Sequence, residues 1–456
     1  MQTLFAKYSR MIFQYILLIW LVTIIVLWAT IKIKYPFWNN QPVFHTYDYV
    51  RSLYKQPFVV HSNWPRKTKY VDPVHVYTYP VNDDNLKLIK DAAKLLQSHY
   101  LSSERIDYMI QSNVLYALHT GQHEQSYFSV YKVLEYELHL CTFKTPPSGA
   151  VMSERGDADC TFEMCNGVKP NQNDANVEIV KMDKILGCIT SRALSMYIRP
   201  TKTEAAFTQI PVYFMDFLCV HREHDYKNIS RILLQTHEYN QRTYNKNIQC
   251  SLLKKDGEQF SGIRPLITYN AYSYNIPSRK VTRLKTSYHV KLLKPGTLSL
   301  FFDFCTFNMH NEPKTTMFDI MVLPSIGNIV AQIREKSLYV GCLRYMDVVL
   351  GFYFVKDAYR YNEAYESKTL TLVASIQNCS DSRLFYLGFL HVLREIIHTN
   401  ADYKAINIEN IGHNQYINNI WASENVPINA TNMTYYSYNY VYPCSPIDQT
   451  RCFILQ

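Results

Sequence analysis

Six consecutive residues, Asp216-Phe217-Leu218-Cys219-Val220-His221, bring a carboxylate, a thiol and an imidazole together where residues 211–220 read as a strand and residues 227–242 carry helical spacing. A strand that splays at such a point can turn two backbone N–H groups onto a carbonyl oxygen, and the helix start behind it is a natural phosphate site. Cys219 is a conceivable acyl-carrying nucleophile, but no oriented base accompanies it, and a strand cysteine is normally a small buried hydrophobe. His221 and His224 form half a metal site with no third ligand, and a helix-entry histidine usually serves as a local hydrogen-bond partner, so no metal is expected. The 11 cysteines include no CxxC pair; Cys160 and Cys165, in a polar loop, lack the second pair that structural zinc needs. Their odd number speaks against a full set of disulfides, and they read as mostly buried thiols in a reducing compartment.

Three segments make the chain similar to the N-myristoyltransferase family. The arm Tyr35-Pro36-Phe37-Trp38-Asn39-Asn40-Gln41-Pro42-Val43 resembles the family's Tyr-x-Phe-Trp-x-Thr-Gln-Pro-Val. The run from Asp216 to His221 resembles Asn-Phe-Leu-Cys-Val-His, and Cys452-Phe453-Ile454-Leu455-Gln456 resembles family chains that finish in Leu-Gln with the terminal carboxylate inside the active site. Weaker likenesses at residues 186–190, 269–280 and 350–355 keep the same order, so the resemblance spans residues 35–456.

The resemblance implies that the backbone at Pro36, Phe37 and Trp38 helps hold acyl-CoA, that the amides of Phe217 and Leu218 form the oxyanion hole, and that Gln456, through its main-chain carboxylate, is the general base. It further implies coenzyme contacts at Leu218, Cys219, Val220, Tyr226, Lys227, Asn228, Ile229 and Ser230, and peptide contacts at Asp216, Ser251 and Tyr100. Two departures bear on affinity and on peptide preference. The family's basic Arg-Ser-Lys-Arg-Val-Ala-Pro loop for the coenzyme phosphates reads Asp225-Tyr226-Lys227-Asn228-Ile229-Ser230-Arg231, with only Lys227 kept among its basic positions. Asp216 stands for a neutral Asn, and Tyr100-Leu101-Ser102-Ser103 for an acidic Tyr-Val-Glu-Asp loop.

The elements that must position these residues begin with a membrane-spanning candidate. Residues 11–31 carry no charge and have the length a bilayer-crossing helix needs. Trp28, Lys32, Lys34 and Tyr35 at its end suit an uncleaved anchor better than a signal peptide, which small residues would follow. Lys7 and Arg10 on one side against Lys32, Lys34 and Arg51 on the other leave its orientation undecided. A proline-punctuated stretch to about residue 82 reads as an extended arm. Helical spacing follows over residues 85–100, capped by Asp83 or Asp84, and again over 227–242 and over 384–397, the last capped by Asp381 or Ser382. Residues 185–190, 194–198, 211–220, 297–306 and 369–377 read as strands, the last two bracketing a helix-rich region, and residues 149–176 as an inserted surface loop.

At 456 residues, 47% hydrophobic and 19% charged, the chain suits two fused folded units and not a disordered or collagenous one. Its net charge of +9 is spread without a basic run, which excludes a nucleic-acid footprint while suiting a polyanionic coenzyme. Periodicity gives a two-part α/β protein. The resemblance adds two acetyltransferase-like halves with a pseudo-twofold relation: residues 1–34 as anchor, 35–245 binding acyl-CoA and 246–456 forming much of the peptide groove. The expected reaction is transfer of a myristoyl or other long-chain acyl group from acyl-CoA to an N-terminal glycine amine, by direct attack and without a permanently bound cofactor. The soluble part is expected to be cytosolic, at the membrane through residues 11–31. Two other classes stand beside this one. A catalytically weak or inactive acyltransferase fold would serve as a binding scaffold, and sequons at Asn228, Asn429 and Asn432 would suit a luminal type II glycoprotein or glycosyltransferase.

Overall fold

Gln2–Lys34 contains neither glycine nor proline and forms one helix, α1. From Met11 to Lys34 it is long and apolar enough to cross a membrane, and among the described residues it is almost wholly exposed. These 24 residues extend about 36 Å against a hydrocarbon core of about 30 Å. Pro36 ends the helix by excluding helical geometry from the residue before it.

A computed structural model describes residues 2–54, 56–101, 106–141, 176–200, 207–278, 281–310, 318–363 and 366–456. After α1 come α2 (Tyr49–Ser52), β1 (Phe58–Val59), β2 (Val76–Pro80), α3 (Leu86–His99), β3 (Ile106–Tyr108), α4 (Ser112–His119), β4 (Tyr127–Cys141), β5 (Asn176–Ile198), β6 (Thr208–Val220), α5 (Tyr226–Tyr244) and β7 (Cys250–Asp256). The chain continues through β8 (Ile267–Asn275), β9 (Tyr288–Leu292), α6 (Ser299–His310), β10 (Ile320–Leu323), α7 (Ile326–Arg334), β11 (Leu338–Tyr345), β12 (Val348–Asn362) and β13 (Ser367–Gln377). It closes with α8 (Ser382–Thr399), β14 (Tyr403–Glu409), α9 (Asn414–Glu424), β15 (Asn429–Tyr438), β16 (Tyr440–Val441) and β17 (Cys452–Ile454).

One pattern of pairing occurs twice. β2, β4, β5 and β6 are successively antiparallel, and β6 then lies parallel to β7. β9, β11, β12 and β13 are likewise antiparallel, and β13 lies parallel to β14. A parallel pair needs a crossover, which α5 and α8 supply in the two units. Between them β15 and β8 complete the order β6-β7-β15-β8-β14-β13, reversed in sense about its centre. The expected mixed α/β architecture with two matching halves is therefore present. The units also exchange strands: β3 of the first pairs with β12 of the second, and β10 of the second pairs with β5 of the first. β17 adds parallel to β10.

Helices expected at 85–100, 227–242 and 384–397 are α3, α5 and α8, and Asp381 caps α8 by accepting from the Arg383 and Leu384 amides. α3 departs in its cap: a short 3-10 turn over Asp83–Asn85 leads into it, and Asp83 accepts the Tyr116 hydroxyl instead. Residues 185–190 and 194–198 belong to one uninterrupted strand, since pairing with β6 carries β5 through Ser191 and Arg192 despite their polarity. Residues 297–306 are not a strand. Leu298, Phe301 and Cys305 are buried at helical spacing, and the run forms most of α6, a case where a short apolar stretch fits either period. The region expected to be helix-rich holds α7 but is mostly β10, β11 and β12. The arm contains α2, β1 and β2, and the loop expected at 149–176 lies outside the described residues except for Asn176, where β5 begins.

Three histidines are buried neutral in this fold. Burial, followed by Arg192, depresses the pKa of His119 to about 3; burial brings His237 to about 3 and His413 to about 4. The unfolded chain binds these protons from about pH 6.5 downward while the folded protein does not, so their stabilisation is present above that pH and lost as pH falls toward 4. Glu238, pushed up to about 7 by burial, acts oppositely and gives stability that fades between about pH 4.5 and 7. His45, His61 and His99, also lowered by burial, add to the first side and Asp357, raised by burial, to the second, so the net slope is acid-labile. Urea unfolding should show stability falling from pH 6.5 to 5, and His413→Gln should flatten the slope by up to about 1.4 kcal/mol per pH unit; an unchanged slope would refute the assignment.

Candidate active site

β6 and β7 are paired only from Val212–Cys250 to Met215–Leu253. Beyond Met215 they part, while β6 continues on β5 through a register shift between Cys188 and Thr190. Phe217 takes a left-handed φ of 52°, a conformation costing a non-glycine residue roughly 1–2 kcal/mol. The separated edge opens on a cavity of about 230 Å³ lined by both units, with Tyr100, Arg192, Asp216 and Phe217 from the first and Lys356 and Glu409 from the second. Gln456 lines it as well.

The electrostatics of this cavity are set by buried charges. The Phe217 amide donates to Asp216 Oδ1 at 2.9 Å, so this carboxylate occupies one of the two expected oxyanion donors. Arg192 Nη2 stands 3.7 Å from Asp216 Oδ2, and the Arg192 side chain is almost wholly buried. Lys356 Nζ donates to the Gln456 main-chain oxygen at 2.8 Å. Burial, then Arg192, bring the Lys356 pKa down to about 7 against the opposing pull of Asp216. Lys254 and Glu409 form a buried ion pair at 2.6 Å, and the Tyr269 hydroxyl donates to the same carboxylate at 2.7 Å. Tyr100 packs 5.8 Å from the Phe217 ring; burial, reinforced by Asp216, holds its hydroxyl well above the ordinary tyrosine range.

A second group of expected residues meets on the other side of the parted strand. Phe37 is buried among Met215, Val220, Ile229 and Leu233, with Trp38 and Leu218 packed against the same cluster. Its ring lies 4.8 Å from Trp38 and 5.0 Å from Tyr70. The Pro36 carbonyl accepts from Asn40 Nδ2 at 2.9 Å, and the Trp38 carbonyl accepts the Gln41 amide at 2.9 Å. Both hold the arm in a tight hook. α5 lies close on β5 because residue 187 is glycine: a Cβ there would stand 2.7 Å from Leu233 Cδ1. The first turn of α5 presents Tyr226, Lys227 and Asn228 to solvent, buries Ile229 and half-buries Ser230, whose hydroxyl donates to the Lys227 carbonyl at 3.3 Å. A helix N-terminus of this kind attracts anions, although the N-cap Asp225, accepting the Asn228 amide at 3.2 Å, places a carboxylate on it.

Cys219 is buried, and burial pushes its thiol up to about 12, so it stays protonated and is no nucleophile. Ser251 is not brought to the cavity. It is three residues from the cavity-lining Lys254 along β7 and so faces the opposite side of the sheet. There its hydroxyl donates to Glu238 Oε2 at 2.9 Å and accepts from Gln241 Nε2 at 3.1 Å. The His221 ring lies 4.0 Å from His99 and 5.3 Å from His224. Sequence reasoning missed Arg192, Lys254, Lys356 and Glu409; the available signal was a charged residue inside an otherwise apolar strand run.

No protein-family model matches the sequence, and no curated protein matches it at a significant level. Among solved structures, Saccharomyces cerevisiae N-myristoyltransferase with bound myristoyl-CoA aligns with a TM-score of 0.61 at 11% identity, covering 92% of this chain and 99% of that one. A second structure of that enzyme with bound myristoyl-CoA gives a TM-score of 0.60 over 91% and 90% of the two chains, again at 11% identity. A third, with myristoyl-CoA and inhibitors, gives 0.60 at 12% identity over 91% of each. The likeness is one of fold across nearly the whole chain: this protein has the fold seen in N-myristoyltransferase.

Proposed function

We propose that this chain is a membrane-anchored protein N-acyltransferase that moves a myristoyl or similar long-chain group from acyl-CoA to the N-terminal glycine amine of a protein. The observation that carries the reading is the convergence, at the point where β6 leaves β7, of the Phe37-Trp38 arm, the α5 N-terminus, the Phe217-Leu218 backbone and Gln456. The myristoyl-CoA bound in the fold neighbours supports acyl-CoA as the donor.

In this reading the first unit, residues 35–245, takes acyl-CoA, and residues 246–456 form much of the peptide groove. Pro36, Phe37 and Trp38 lie along the acyl-CoA, with the phosphates near Tyr226, Lys227, Asn228, Ile229 and Ser230. Leu218, Cys219 and Val220 back the thioester, whose carbonyl oxygen meets the Phe217 and Leu218 amides. The incoming amine stands near Tyr100 and Asp216. An α-amino group has a pKa of about 8, so a carboxylate beside it must accept its proton as attack begins. Gln456 supplies that carboxylate from its main chain, with Lys356 orienting it. The carbonyl carbon forms its bond to nitrogen, the C–S bond breaks, and CoA leaves as the thiol with a proton. α1 tethers the protein, with the soluble part on the cytosolic side where acyl-CoA is available. Ser251 then acts indirectly, through its network with Glu238.

Two observations favour the scaffold alternative: Asp216 already occupies the Phe217 amide, and Asp225 caps the helix that would receive phosphate. A radiolabelled assay with the detergent-solubilised full chain, myristoyl-CoA and glycine-led peptides separates the two. Transfer that is lost on blocking the peptide amine is expected; tight acyl-CoA binding without transfer would leave a scaffold.

Asp216 gives a sharper outcome. A carboxylate beside a developing oxyanion opposes the charge that the amides should stabilise, so Asp216→Asn, which keeps an acceptor for the Phe217 amide, should raise kcat about tenfold, or about 1.4 kcal/mol. A fall in kcat with the fold intact would assign Asp216 a constructive part. Extending the chain by one glycine after Gln456 moves its terminal charge by up to about 3.5 Å, beyond hydrogen-bond reach of the amine. Acyl-CoA binding should persist while transfer drops about a hundredfold or more; undiminished transfer would show that Gln456 is not the base.

A further inference from the structure

Just past α1 stands a group of large apolar side chains that the fold does not cover. Tyr49, Val50, Leu53 and Tyr54 are 77%, 70%, 81% and 55% exposed. Scattered single apolar residues are ordinary on a protein surface, but four within six residues form a patch.

Contacts locate this patch beside the helix exit. The Tyr47 ring stacks on Tyr35 at 6.0 Å, and its hydroxyl donates to Asn39 Oδ1 at 3.1 Å. At the other end of the excursion, the Tyr70 hydroxyl donates to the Pro36 carbonyl at 3.3 Å and its ring lies 5.0 Å from Phe37. Residues 48–69 thus leave from, and return to, the first residues after α1. Three residues past Tyr47 reach at most about 11 Å, so Val50 stays close to the residues that follow α1. The stretch is also predominantly basic: residues 48–70 contain Arg51, Lys55, Arg66, Lys67 and Lys69 against Asp48 alone, which pairs with Arg51 at 3.0 Å. Arg51, Arg66 and Arg242 all lie close enough to His61 to depress its pKa, after burial, which gathers the basic side chains around the middle of the excursion.

We infer that residues 49–54 are a second membrane contact, lying in the headgroup layer of the bilayer that α1 crosses, with the flanking arginines and lysines on anionic lipid headgroups. Tyrosines at the interface, apolar side chains beneath them and basic residues around them are the combination that such a layer recognises. The inference rests on the reading of α1 as membrane-spanning and goes beyond it. A single helix leaves a domain free to swivel, whereas a second contact fixes its tilt and keeps the strand opening near the bilayer.

The test uses the full chain reconstituted in vesicles of phosphatidylcholine with about one-third phosphatidylserine carrying a radiolabelled trace. A photoreactive p-benzoylphenylalanine replaces Leu53 in one protein and Val426 in another. Val426 is also exposed, and it precedes β15, whose far end bridges to the arm through Tyr438 and Val43 about 30 Å away. Lipid adduct at position 53 should exceed that at 426 by about fivefold or more, and should fall in Arg66→Glu/Lys67→Glu or in vesicles of phosphatidylcholine alone. Equal labelling at the two positions, or none at 53, overturns the membrane contact. Labelling at 53 that ignores lipid charge overturns the part given to the basic residues. Release of the chain by alkaline carbonate overturns the spanning reading and this inference with it, while acyl transfer measured on the same sample reports separately on the enzymatic reading.

Discussion

The parting of β6 from β7 after Met215 is the constraint on which the rest of the site depends. A parallel ladder binds every inward N–H and C=O, and a sheet that stayed closed would offer neither a cavity nor free donors. Opening it requires compensation on both flanks. β5 keeps hold of β6 through a register shift, α5 crosses tightly over Gly187, and the arm fills the wedge with Phe37. Each of these needs the others, since Phe37 packs on the same cluster as Ile229 and Leu233 from α5 and Met215 and Val220 from β6.

Charge is the second organising feature. Arg192, Lys254 and Lys356 are buried around one small cavity, an arrangement that costs several kcal/mol per ion unless partners repay it. Glu409 repays Lys254, Asp216 stands near Arg192, and the Gln456 main-chain oxygen receives Lys356. Arg192 and Asp216 belong to the first unit, while Lys254 with Glu409 and Lys356 with Gln456 belong to the second, so the cavity brings the buried charges of both units together. The depressed pKa of Lys356 follows first from its burial and then from Arg192 across the same cavity.

Much of this was legible in the sequence, for identifiable reasons. α3, α5 and α8 announce themselves because amphipathic spacing is local and long. The arm, the Phe217-Leu218 bend and the C-terminal segment were found through similarity of short motifs, and the structure brings all three to the strand opening. What was not legible depends on distance along the chain. Residues 297–306 are apolar enough for either period, and only packing against Phe352, Phe354 and Phe453 decides for a helix. Ser251 lies near the site in sequence order yet faces the wrong side of β7, which the parity of strand positions reveals once Lys254 is known to line the cavity. Lys356 meets Gln456 across 100 residues, and no local pattern encodes that pair.

The exchange of β3 and β10 between the units has a mechanical consequence. Each unit completes its sheet with a strand that belongs, by order in the chain, to the other: β3 on β12 and β10 on β5. Neither half can detach without stripping backbone hydrogen bonds from its neighbour, so hinge motion between them is suppressed and the two melt as one cooperative body. A fragment carrying either unit alone would expose an unpaired strand edge, the kind of surface that seeds aggregation.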